Sequence, residues 1–538
     1  MGRKYLGEVQ NLTVQKVYIG LVTVGFLLIS PWLTSEFLGG NPMPVITLVA
    51  LGVLLVFLFA LKDKCWLIIP FCLPIEGTFN FLPLNFSMFE LAVLYVFSYM
   101  VLQIIMGQQI FWKLGPPFFW IPLSGLLVIL LYHWIRSGDI GIRALGGTGW
   151  GGRYYFRVMI AALTIPILSS FSGSSWRDFQ KVPLFYFLGS FVDIVPQVIS
   201  TLVPATAPVI FRFYSSVNIV EYGKQLSGAF GEEQGITRIG QLGRLGTGLS
   251  LVILSYFPFS TWLNPSRFWI IPGLFFSFFC SAIAGFRSYI FNWFLISMVG
   301  LYATARSRVF LVFPVTLLGL GLMVLSQGSL VNYPRSLQRA FSFLPGNWDP
   351  VAVKETDGSS TWRKLIRELF WAEYFKKAPL LGQGYHFNPQ YAQEEQDIYL
   401  RRAFMDSSDP YKAVRGFIER RNPHEGDIHV ILVAGSIGAS FFILICLGSS
   451  LYALVKIYRT PVRQVSPLQV WCSALIVQQS LSFFIVFGDL ALALNYLCPI
   501  VTLLYTGFNV QQAGATKAAP FKSIVGSPDL KIAVPQVR

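Results

Sequence analysis

Charge is scarce in this sequence. Of its 538 residues, 12% are Asp, Glu, Lys or Arg, against 54% hydrophobic, whereas soluble domains carry about 25% charged residues. The deficit excludes an ordinary soluble enzyme. The hydrophobicity excludes a disordered chain, which needs the reverse balance. Histidine is rarer still, with four in all, and no His/Cys cluster has the spacing of a zinc or haem site. The six cysteines, Cys65, Cys72, Cys280, Cys446, Cys472 and Cys498, all fall in apolar segments without a Cys-x-x-Cys. They read as small buried hydrophobes, and no disulfide framework is implied. No Gly-x-x-x-x-Gly-Lys-Ser/Thr occurs, so a P-loop pump is unsupported. A cleavable signal peptide is not expected, because the first apolar run is long enough to span and lacks a small-residue exit.

What is abundant is the apolar run of about 20 residues that a membrane span requires. Such runs lie near 17–37, 44–61, 65–82, 88–106, 118–136, 155–172, 182–203, 246–259, 267–284, 287–304, 308–327, 428–448, 468–486 and 489–508. The chain is therefore expected to be an all-α polytopic membrane protein of about 12–14 transmembrane helices. The run at 65–82, broken by Pro70, Pro74, Glu76 and Gly77, reads as bent or re-entrant. The net charge of +15 fits the Lys/Arg excess of cytoplasmic loops better than nucleic acid. Lys64, Lys113, Arg177, Lys181, Arg267, Arg306, Arg308, Lys456, Arg459 and Arg463 share one side of this topology with both termini, and that side is expected to be cytoplasmic.

Five regions follow: N-terminal spans over 1–203, central helices with arginine-bearing outer loops over 204–327, a large extracytoplasmic loop over 328–427, C-terminal spans over 428–508 and a cytoplasmic tail over 509–538. The large loop carries 14 basic and 13 acidic residues, close enough to neutral for export. Within it Trp362, Leu365, Ile366, Leu369, Phe370 and Tyr374 recur at helical spacing. Ser360 reads as their cap and Pro379 as their stop, so the long loop is expected to be partly helical and its stripe to pack on the body of the protein.

Ionisable residues at span ends deserve the first look, since charge in the membrane is costly. Arg238 and Arg244 stand among four glycines at 235–246, where backbone can approach a ligand and guanidinium forks can bind phosphate; a flexible basic loop is the plainer alternative. Arg287 sits in a tight turn between two apolar spans, either snorkelling to headgroups or pointing into a polar cavity. His424 stands where the long outer loop enters a span, with a pKa range suited to proton transfer near neutrality; a simple interfacial histidine is the alternative, and His429 is its rival. Gly435 and Gly438 read as a small-residue face for close helix packing. Pro379-Leu-Leu-Gly-Gln-Gly-Tyr385 reads as a turn. Gly146–Arg153, with Arg157 near it, could cradle phosphate, and Glu394, Glu395 and Asp397 could hold a cation, but a loose loop and a solvated helix face suit them better.

Taken in order, these pieces resemble the O-antigen ligase/O-antigen polymerase family of bacterial membrane glycosyltransferases. His424, Gly435 and Gly438 match that family's His-to-Gly-to-Gly spacing, with Glu425 where Asn is usual. Gly285-Phe-Arg287-Ser resembles its inter-span arginine turn, with Phe286 where Ser is common. Arg238 to Arg244 resembles its arginine-bearing Gly stretch, and Trp362 to Tyr385 its Trp-rich helix running into Pro-Leu-Leu-Gly-x-Gly. The resemblance covers about 204–448 and implies a GT-C-like fold in the bacterial cytoplasmic (inner) membrane, with the active site on the periplasmic face. It implies transfer of a saccharide from a polyprenyl-pyrophosphate carrier to a hydroxyl of a glycan, lipid or protein acceptor, without metal or cofactor. His424 would be the general base, Arg287 with Arg238 or Arg244 would hold the pyrophosphate, and Glu425 and Tyr385 would complete the substrate site. A transporter or flippase of lipid-linked saccharides is the alternative.

Overall fold

The computed structural model describes residues 20, 62–79, 86–105, 107, 113–138, 152–171, 174–215, 240–262, 264–386, 410–421 and 423–518. Among these the chain is helical, and the extended backbone makes isolated bridges but no sheet. Eight stretches among the described residues are long and apolar enough to cross a membrane. The chain is thus an all-α, multi-pass membrane protein. The runs at 17–37 and 44–61 lie outside the described residues, Gly20 apart. The run at 65–82 is bent as expected: its helix ends at Cys72, and Ile75–Gly77 has no helical turn.

In chain order the helices begin with α1 (Met88–Ile105), α2 (Pro117–Ser137), α3 (Gly152–Ser170), α4 (Val182–Leu202), α5 (Gly240–Tyr256), α6 (Ile270–Ile283), α7 (Arg287–Ala305) and α8 (Val309–Ser326), of which α1, α2, α4, α6 and α7 belong to the eight stretches. The segment between α8 and the last three spans folds into α9 (Arg335–Phe341), α10 (Pro350–Leu369) and α11 (Pro410–Glu419). The chain then re-enters as α12 (Gly426–Arg459), α13 (Pro467–Ile485) and α14 (Leu490–Ala518). The tail therefore stays helical well past Asn509.

Local signals explain several boundaries. Ser87 and Glu90 exchange backbone–side-chain bonds at the start of α1, and Ser466 and Gln469 do the same before α13, each pair satisfying two orphan donors. Proline opens α2 and Gly138, at φ 72°, closes it. In the core, α12 packs along α2 and α13, α7 along α13, α14 along α3, and α5 lies against α4, α6 and α7.

The helix directions place the charges. Arg306, just past α7, donates to the carbonyls of Ile457 and Thr460 at the end of α12. Tyr256, ending α5, donates to Gln180, and Phe118, at the start of α2, faces Tyr452 at 4.8 Å. Lys113, Arg177, Lys181, Arg306, Lys456 and Arg459 therefore cluster at one end of the bundle. The starts of α5, α7, α12 and α14 lie at the other.

One span is broken. Gly435 in α12 has φ 69° and ψ −175°, about 14 Å along the helix from Gly426. It is not the packing face that its spacing predicted, although Gly438 does lie against Leu126 and Ile129 of α2. The break is filled by Pro379–Gly384. Ser436 and Ile437 donate to the carbonyls of Pro379 and Leu380, while Gln383 and Gly384 donate to those of Leu432 and Val433, at 2.7–3.1 Å. The Leu381 carbonyl meets His133 Nε2 at 2.8 Å. Inside a bilayer each of these groups would otherwise be unsatisfied.

Gly382, at φ 76°, and Gly435 touch backbone to backbone, and a Cβ on Gly435 would overlap the Leu380 carbonyl. Gly435→Ala should therefore cost about 2–4 kcal/mol, combining left-handed strain with lost docking. Gly319→Ala, where nothing lies within 4 Å, should change stability by no more than about 0.5 kcal/mol. Thermal unfolding in detergent micelles compares the two.

Candidate functional site

Helix α10 organises the end of the bundle opposite the basic cluster. It begins earlier than the sequence suggests. Asp349 accepts from the Val351 amide and Pro350 takes the first helical position, so Ser360 is interior rather than a cap and bonds back to the Thr356 carbonyl. The helix widens by one residue per turn at Phe370–Tyr374. Its apolar stripe packs as expected: Ile366, Leu369, Phe370 and Tyr374 are buried with Val414 and Ile418 of α11 and Ile428 and Leu432 of α12.

A polar strip along the edge of that stripe, formed by Thr356, Arg363 and Arg367, reaches two span ends. Near its start, Thr356 bonds Ser342 at 2.7 Å and reaches the Arg339 carbonyl. Arg339, buried in α9, donates at 2.5 Å to the Gly285 carbonyl. Gly285, at φ 76°, forms the turn that sets Arg287 as the first residue of α7. Two turns after Thr356 comes Arg363, which donates to the Val486 carbonyl at 3.1 Å. One turn further, Arg367 Nε donates to Glu425 Oε2 at 2.7 Å. Helix α10 thus runs from the Arg287 turn to the His424 turn.

Arg287 is half-buried, with its guanidinium carbon 5.9 Å from the Phe343 ring centre. It makes no ion pair among the described residues. The charge of Arg363 acts on it, opposed by Asp357.

His424 is held in a left-handed conformation, φ 61°, three residues after Arg421 at φ 59°. Such backbone costs of order 1–3 kcal/mol and persists only where its surroundings over-determine it. The surroundings are visible. The His424 ring lies between Phe417 and Phe487, at 5.3 and 5.2 Å. Gly426 and Gly488 approach so closely that a Cβ on Gly488 would overlap Gly426, which brings Phe487 beside the turn. Arg421 fastens the turn to the segment that fills the break in α12, here called the re-entrant segment, donating to the carbonyls of Gly384 and His386 at 3.1 Å. Burial holds the Arg421 guanidinium below its ordinary pKa, with Glu419 opposing.

The remaining sequence candidates are dispersed. Arg244 pairs with Glu76 and, at 3.2 Å, with Asp193. Asp193 also accepts from the Glu76 amide and the Tyr214 hydroxyl, so Arg244 staples the bent 75–79 segment to α4 and α5. Tyr385 is fully buried, stacked on Tyr154 at 4.8 Å and edge-on to Tyr155; it anchors the end of the re-entrant segment. His429 is buried and its Nδ1 accepts from the Leu490 amide at 3.0 Å, a structural role. Arg153 is buried against Glu90. Arg238, Glu394, Glu395, Asp397 and Gly146–Gly151 lie outside the described residues.

Sequence reasoning missed Arg363 and Arg367. The signal was present: Thr356, Arg363 and Arg367 recur at seven and four residues and so share one helix face.

Glu425 is 5% exposed. Burial raises its carboxyl above the usual range, with Arg367 pulling it back down. A carboxyl raised in the folded state binds protons there that the unfolded chain has released. Stability is therefore lost as pH climbs from the ordinary Glu range of about 4.3 through the raised value. Glu425→Gln should lack that component, so the stability difference between wild type and variant should change across this window and be flat above it. Thermal midpoints measured between pH 4 and 8 check this. Compared with models of known protein families and with curated proteins, the chain matches none.

Proposed function

We propose that the chain is a membrane glycosyltransferase of the O-antigen ligase or polymerase kind, moving a saccharide from a polyprenyl-pyrophosphate carrier to an acceptor hydroxyl. One observation carries this reading. Arg287 is a half-buried guanidinium with no ion pair among the described residues, and it lies at the same end of the bundle as His424, tied to it through α10. A guanidinium beside a span that no carboxylate contacts directly is costly and marks a functional position. An anion docking there offsets that cost.

The reaction needs three things. A base must take the proton of the acceptor hydroxyl as its oxygen attacks the anomeric carbon. The bond from that carbon to the pyrophosphate oxygen must break, and its electron pair must leave on the pyrophosphate. Fixed donors must meet the charge that develops there. His424 supplies the imidazole, held in a turn and flanked by two phenyl rings. Arg287 supplies a fork of N–H donors at the depth where a lipid diphosphate sits. In this reading the acceptor is a glycan, lipid or protein, the site faces the periplasm, and the basic end of the bundle lies in the cytoplasm of a bacterial inner membrane.

A transporter of lipid-linked saccharides would share the broken helix α12. There, however, the carbonyls of Leu432 and Val433 that a coupling ion would seek are taken by the amides of Gln383 and Gly384.

Purified protein supplied with a polyprenyl-pyrophosphate saccharide and a hydroxyl acceptor should form product. His424→Ala should slow it about 10²–10⁴-fold. Arg287→Lys should lose at least about tenfold despite keeping its charge, because the fork is gone. Undiminished product from His424→Ala at equal expression removes His424 from the chemistry. Carrier movement across proteoliposomes without transfer would favour the transporter.

A further inference from the structure

We infer that Arg363 is the second guanidinium of the anion site, so that a lipid-linked diphosphate is gripped between Arg287 on α7 and Arg363 on α10. The assignment of the ligand as a carrier diphosphate rests on the glycosyltransferase reading; the pairing of the two arginines rests on geometry.

The arginines at this end differ in what they are already bound to. Arg244 is neutralised by Glu76 and Asp193. Arg153 faces Glu90. Arg367 is bonded to Glu425, and Arg339 is bound to the Gly285 carbonyl. Arg287 and Arg363 make no ion pair among the described residues. Arg363 donates to the Val486 carbonyl, which engages one of the five N–H groups of a guanidinium.

Its place is set from both sides. The Thr356–Arg339–Gly285 contacts fix one end of α10 beside the Arg287 turn. The Arg367–Glu425 pair fixes the other end beside His424. Arg363 lies between them on the same helix face, and the residue after its carbonyl partner Val486 is Phe487, whose ring faces His424 at 5.2 Å. Its charge acts both on Arg287 and on Glu425.

Two mutually repelling guanidiniums that no carboxylate contacts directly among the described residues suit an anion with two charged centres. A diphosphate offers one phosphoryl group to each fork; a monophosphate can fill only one. The second arginine therefore confers selectivity for diphosphate, and it comes from the extramembrane segment rather than from a span.

The test is binding to the full chain in lipid nanodiscs, with a short-chain prenyl diphosphate, the matching prenyl monophosphate and inorganic pyrophosphate as probes. Wild type should prefer the prenyl diphosphate to the monophosphate by at least about tenfold. Arg363→Gln should weaken diphosphate binding about ten- to a hundredfold and erase that preference. Arg363→Lys, which keeps the charge and a donor for Val486, should weaken it by at least about tenfold while leaving the thermal midpoint close to wild type. Wild-type diphosphate affinity in both Arg363 variants, with weakened binding in Arg287→Gln, would overturn the role of Arg363 and leave the carrier reading standing. Unchanged binding in Arg287→Gln as well would overturn both. Inorganic pyrophosphate binding as tightly as the prenyl diphosphate would overturn the lipid-linked assignment.

Discussion

A helix that breaks within a bilayer must have its freed backbone groups bonded by something, since no water is there to do it. In this protein that demand falls on α12 at Gly435, and the Pro379–Gly384 segment meets it. The consequence is architectural. The re-entrant segment follows directly on α10, so docking it in the break fixes where the end of α10 lies. Arg421 then bonds the same segment to the turn that holds His424. The histidine, the broken span and the extramembrane helix are thereby parts of one hydrogen-bonded unit. A change at Gly435 is therefore expected to reach His424 through these bonds rather than by direct contact.

The second organising feature is the contrast between paired and unpaired charge. Ion pairs at this end of the bundle serve as staples. Arg244 with Glu76 and Asp193 pins the bent 75–79 segment. Arg153 with Glu90 joins α3 to α1, and Arg367 with Glu425 ties α10 to the start of α12. Breaking a buried pair leaves an isolated charge, which is strongly unfavourable; such residues therefore resist recruitment to a ligand. Arg287 and Arg363 carry no such commitment among the described residues.

Much of this was legible in the chain. Apolar runs of span length are a strong signal because the bilayer imposes them, and eight of them form helices of sufficient length among the described residues. The turn holding Arg287 and the histidine ahead of a span could also be read directly. The rest was hidden for identifiable reasons. Arg244 finds its acids 168 and 51 residues away, a separation that no local pattern encodes. Gly358 lies inside α10, and because glycine costs a helix about 1 kcal/mol, a start at Ser360 was the better local reading. Gly435 and Gly438 suggest helix packing at their spacing alone; only the carbonyls of Pro379 and Leu380, more than 50 residues earlier, show that the first of them breaks the helix. Arg363 was masked because a charged face on an amphipathic helix is ordinarily solvated.

Glu425 shows how neighbours divide the work. A carboxylate next to a histidine could orient the ring or raise its basicity, but here it is turned to Arg367 at 2.7 Å. The imidazole instead has the rings of Phe417 and Phe487 beside it, at 5.3 and 5.2 Å. On the proposed reading, Glu425 therefore acts at one remove: by holding Arg367 it fixes α10 and with it the place of Arg363.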